Sequence, residues 1–191
     1  TVNATTVTGR GGGWSEGDVT QAWAATLLVS EQIDDGGPLK FTVNYTDLAD
    51  NAGTEKSAVT VGSAVTIDYT APSDPVNLDL VSSDDNGPLD TDNLTNATNM
   101  TLTASGFTTG EYGYLYSYDG PGDINPGDDV LVSFVQLNND DLGVASFSVD
   151  NNASALTNYY VIAQDVAGNA STIASAPNLA VNVDLDAPVV D

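Results

Sequence analysis

Oxygen is the ligand atom this chain offers in quantity, and it offers it in clusters. The stretch SDDNGPLDTDN, Ser83 to Asn93, carries Asp84, Asp85, Asp90 and Asp92. TIDYTAPSDP, Thr66 to Pro75, brings Asp68 and Asp74, and the turn DLADN before it brings Asp47, Asp50 and Asn51. Near the far end, Asp165, Asn169, Asp184 and Asp186 repeat that arrangement. Ca²⁺ takes about six to eight oxygens from carboxylates, amides and backbone carbonyls, so these are the candidate metal ligands and calcium the cofactor they suggest. Adjacent strands would bring the turns and the joint residues to the same end of a module. No stretch has the D-x-[DN]-x-[DN]-G spacing of an EF-hand loop, and GDINPGDD, Gly122 to Asp129, matches it only loosely. Asp and Asn also populate turns for their backbone tolerance alone, which gives each single residue a purely conformational reading.

Other chemistry is excluded by what is missing. The chain has no Cys and no His. Thiolate nucleophiles, zinc-thiolate sites and triads built on an imidazole base are therefore absent. A glycosidase-like pair of carboxylates is the remaining catalytic option. No two acids are singled out for it, and Trp14 and Trp23 imply no aromatic cleft, so the chain reads as a non-enzyme.

Charge narrows the partners. Against 27 acids stand three bases, Arg10, Lys40 and Lys56, for a net charge of −24. Nucleic acid phosphates are bound by Lys and Arg, so no nucleic acid partner is expected. Anionic membrane surfaces are disfavoured for the same reason. No apolar run approaches the length of a membrane span, and no membrane insertion is expected. Like charges at this density repel one another, and either a saline medium or divalent cations held between carboxylates would relieve them. No basic segment and apolar run follows Thr1, so the chain reads as an excised or mature piece.

The elements that must position these oxygens are strands. Short runs of β-branched and aromatic residues alternate with turn-forming clusters in NLDLVS (Asn77 to Ser82), NMTLTA (Asn99 to Ala104), YGYLYSY (Tyr112 to Tyr118) and VLVSFVQL (Val130 to Leu137). VASFSVD (Val144 to Asp150), YYVIAQD (Tyr159 to Asp165) and LAVNVDL (Leu179 to Leu185) continue the pattern. The segment TQAWAATLLVS also alternates and is expected to be a strand. The fold class is therefore all-β, and about seven short strands in ~115 residues suit an immunoglobulin-like, Greek-key β-sandwich. Tyr112, Tyr114, Tyr116 and Tyr118 share one strand face, which is expected to be core with hydroxyls at its rim.

The chain also repeats itself. FTVNYTDLADNAG (Phe41 to Gly53) falls on YYVIAQDVAGNAS (Tyr159 to Ser171) with an offset of 118, Phe41 onto Tyr159. Phe41, Val43 and Tyr45 then correspond to the core positions Tyr159, Val161 and Ala163, and Asp47 to Asp165. The phrase Asp-x-x-Ala-Pro recurs at an offset of 116, Asp68 onto Asp184. Tandem modules follow. Residues 1–71 form a partial module, the second half of a repeat, or a shortened one; 72–188 form a complete module; 189–191 begin the next linker. An incomplete sandwich leaves an open strand edge, which a strand from another copy would complete.

Taken in order, TIDYTAPSDP, the closing VDLDAP, the turn D-x-A-G-N at Asp165 to Asn169 and LDLVSSDDNGPLDTDNLTN (Leu78 to Asn96) resemble the bacterial Ig-like tandem repeats of large, calcium-dependent surface adhesins and biofilm-associated proteins. AWAATLLVSEQIDDGGPLKFTVNYTDLADNAG and SAVTIDYTAP resemble the closing half of another such repeat. Asp50 departs from the pattern, standing where the turn usually has Gly. The resemblance implies an extracellular, cell-surface extender: modules stacked end to end, partnered by neighbouring modules or by copies of the same chain, with joints stiffened by Ca²⁺. A strand-exchanging subunit of a surface filament or layer is the alternative, and a carbohydrate-binding module a further one.

Overall fold

The computed structural model describes residues 6–8, 24–26, 36–44, 49–58, 62–118, 124–173 and 176–189. The chain divides into two compact units, Thr1–Tyr69 and Thr70–Asp191.

In the first unit, β1 (Thr6–Thr8) pairs antiparallel with β2 (Ala24–Thr26), inside the segment expected to alternate. β3 (Gly37–Pro38) pairs with β4 (Thr66–Ile67), Gly37 opposite Ile67 and Pro38 opposite Thr66. Val43 bridges Lys56 further along. Of residues 36–44, 49–58 and 62–69, only Ile67 is buried. Val43, expected in a core, is half exposed; Tyr45 and Asp47 lie outside the described residues.

The second unit is built from the seven expected strands and one more. They are β5 (Val76–Leu80), β6 (Leu94–Thr95), β7 (Asn99–Ser105), β8 (Tyr112–Tyr118), β9 (Val130–Gln136), β10 (Val144–Asp150), β11 (Ala155–Gln164) and β12 (Asn178–Val183). Three form one sheet in the order β10-β7-β5, and five form another in the order β6-β12-β11-β8-β9. All neighbours are antiparallel except β6, which runs parallel to β12. The unlooked-for β6 is two residues long, too short for alternation to show.

The period of two assigns every second residue to the interior. β10 alternates without fault, with Ala145, Phe147 and Val149 buried, and β7 answers with Met100, Leu102 and Ala104. Leu78 and Leu80 from β5 join them. Opposite lie Leu115 on β8, Tyr159, Val161 and Ala163 on β11, and Val181 and Val183 on β12. The two sheets thus share one core, in a sandwich-like arrangement.

The tyrosines of β8 are not part of that core. Their strand neighbours Gly113 and Leu115 face inward instead. The reason is volume: a Cβ on Gly113 would sit 3.0 Å from the Phe147 ring and 3.2 Å from that of Phe107, so two phenylalanines already fill the interior there. Tyr114, Tyr116 and Tyr118 pack on the outer face of the five-stranded sheet around buried Tyr160 and Ile162. Tyr116 stacks on Tyr160 with ring centroids 5.2 Å apart, and Tyr114 on Phe134 at 6.0 Å.

In the second unit Ala155 lies opposite Val183 and Leu156 opposite Asn182. These are the positions onto which the sequence offsets of 118 and 116 carry Gly37 with Ile67 and Pro38 with Thr66.

Candidate cation-binding residues

The turn D-x-A-G-N is held by its own first residue. Asp165 Oδ1 accepts the N–H groups of Ala167 at 2.8 Å and Asn169 at 2.9 Å, while Oδ2 accepts from the Asn169 side chain at 2.8 Å. The Asp165 carbonyl also accepts from the Gly168 N–H. Desolvation pulls this carboxyl upward, but the hydrogen bonds from Asn169, Ala167 and Gly168 outweigh it and leave it below its ordinary value. Gly168 turns the chain with φ +96°. Asp50, the residue matched to it, takes φ +63°, so the left-handed turn position is reproduced without glycine.

The structure does not gather the candidate ligands as expected. Asp165 follows the last residue of β11, whereas Asp184 follows β12 beside the first, because Ala155 pairs with Val183. In an antiparallel pair the exit of the second strand lies by the entrance of the first, and the turn between them lies at the far end. Asp184 and Asp186 are therefore a strand length away from Asp165 and Asn169. The Asp184 N–H donates to the Thr95 carbonyl, and the Leu185 N–H to the Ser154 hydroxyl. In the first unit Asp68 likewise follows Ile67 beside Gly37, while Asp50 and Asn51 lie beyond Val43. Asp74 sits near the other turn: its Oδ1 accepts the Thr172 N–H at 2.7 Å, just past Asn169.

GDINPGDD is described from Ile124 onward. Asp128 and Asp129 serve their own turn: the Asn125 side chain donates to Asp128, and the Asn125 N–H to Asp129 Oδ2. The Tyr160 hydroxyl also donates to Asp129 Oδ2, at 3.0 Å. Burial first, then this acceptor, pushes the Tyr160 hydroxyl well above the ordinary tyrosine value.

The loop from Val81 to Asn93 carries the chain from the edge of one sheet to the edge of the other. Asp84 Oδ2 accepts the Thr101 N–H at 2.7 Å, and the Asn86 side chain accepts that of Asn96 at 2.9 Å. Asp92 accepts the N–H groups of Leu94 and Leu89, and Asp90 is exposed. Asp85 is buried, only 5 % exposed. Its Oδ2 accepts the Asn93 N–H at 3.2 Å, while its Oδ1 meets no donor among the described residues. The buried side-chain oxygen of Asn93 meets none either.

Among the described residues no three acidic side chains converge as a ready-made metal cluster. The two unsatisfied oxygens are a different signal, invisible in sequence because four acids of one loop read alike. Asp85, and with it Asn93, which was not among the expected ligands, fit a hard cation; the other described candidates are engaged in hydrogen bonds or stand exposed. Comparison with protein-family profiles finds no match, and no curated protein matches the sequence.

Proposed function

We propose that this chain is a segment of an extended, extracellular stalk made of tandem immunoglobulin-like modules, and that its work is spacing. The observation that carries the reading is the repeated pairing. Gly37 with Ile67 and Ala155 with Val183 are related by the same offsets that relate the two sequence stretches. The strand order supports the module type: sheets of β10-β7-β5 and β6-β12-β11-β8-β9 suit a Greek-key, immunoglobulin-like unit with a split first strand. Small-angle scattering tests this. A compact globule of this length would have a radius of gyration of about 16 Å. The stalk reading expects a clearly larger value from a folded monomer, and a compact value would overturn it.

A second reading, a carbohydrate-binding module, draws on the outer face of the five-stranded sheet. Phe134 there is 62 % exposed and stacks on Tyr114, the kind of platform on which sugar rings pack. A glycan array decides it: binding abolished by Phe134→Ala would favour this reading over the stalk.

A further inference from the structure

We infer that the loop joining β5 to β6 holds a divalent cation of the calcium class between the Asp85 carboxylate and the side-chain oxygen of Asn93. Both oxygens are buried acceptors facing no donor among the described residues, and the Asn93 N–H bond to Asp85 ties their residues together. The loop fixes Asn93 from two sides. Its φ is +55°, and its carbonyl accepts the Asn182 N–H from β12.

The charge distribution makes the case sharper. A buried carboxylate with one hydrogen bond is far from compensated, and an ion pair is the usual remedy. No Lys, Arg or His follows Lys56, so the second unit contains no side-chain cation that could approach Asp85. The remaining partners are a bound metal ion or an ordered water, and only the first makes the loop respond to Ca²⁺. Asp84 and Asp92 add negative potential to the same loop, which favours the metal. Hard oxygen donors, one charged and one amide, suit Ca²⁺, with water and loop carbonyls supplying its other ligands. This site is internal to the second unit. It stands independently of the stalk reading and of any cation at a joint.

Calorimetric titration of the full chain with CaCl₂ at neutral pH, paired with thermal melts in chelator, Ca²⁺, Mg²⁺ and matched NaCl, tests the assignment. The wild type is expected to bind Ca²⁺ and to melt higher in it than in the controls. Asp85→Asn should weaken binding by about tenfold or more, while Asp140→Asn, an exposed acid in another turn of the same unit, should leave it unchanged. In chelator Asp85→Asn should melt no lower than wild type, because an uncompensated buried charge is gone. Asn93→Asp provides the opposite sign and a second variant should Asp85→Asn not fold: tighter Ca²⁺ binding and a lower melt in chelator. A melt that responds to NaCl as strongly as to Ca²⁺, undiminished binding by Asp85→Asn, or an Asn93→Asp protein that Ca²⁺ fails to rescue would each overturn the site. Loss of binding in Asp140→Asn with Asp85→Asn unaffected would overturn it as well.

Discussion

Asp50 and Gly168 hold the same backbone state with opposite means. Gly168 has no Cβ to strain at φ +96°, so Gly168→Ala should destabilise the second unit by ~1 kcal/mol, read from its denaturant midpoint. Asp165 answers to pH. Its folded value lies below the unfolded one, so its contribution is complete above the ordinary carboxylate range and disappears as pH falls through the folded value. Asp165→Ala should therefore lower the melting temperature at pH 7 and lose that effect progressively toward pH 2; a difference that persists in acid would contradict the assignment. The orphaned oxygen of Asp85 belongs to this scale too, and it was hidden for a reason. Sequence records that four acids share a loop, whereas which one turns inward depends on the crossing between two sheets.

At the scale of elements, alternation was the dependable signal. β8 and β10 begin and end where their patterns do, since each strand has an unambiguous period and turn residues at both ends. Which face points inward was not legible for β8. Tyrosines and their neighbours offered two usable faces, and the choice fell to Phe107, in the turn before the strand, and to Phe147 on β10. One residue type now occupies both environments. Phe147→Ala, which empties a fully buried site, should cost about 3–5 kcal/mol. Phe134→Ala on the exposed outer face should change stability by about 0.5 kcal/mol or less, and urea melts of the two variants provide the comparison. The hairpin geometry explains the other misplacement. Asp165 and Asp184 looked like neighbours because both close a strand, yet antiparallel strands close at opposite ends.

At the scale of the molecule, the chain carries a charge of −24, so repulsion is a property of the whole rather than of one loop. The small parallel contact between β6 and β12 has a meaning on this scale. The Asn182 N–H donates to the Asn93 carbonyl and the Asp184 N–H to that of Thr95. The chain enters β6 from one direction and leaves β12 in the other. Tension applied to the two ends of the second unit would load these bonds in shear, together, instead of peeling them apart in turn. Asp184→Pro removes one donor and should lower the peak unfolding force in single-molecule pulling more than it lowers the melting temperature. Two short residues of β6, negligible as a share of the sheet, would then set how hard the unit can be pulled before it yields.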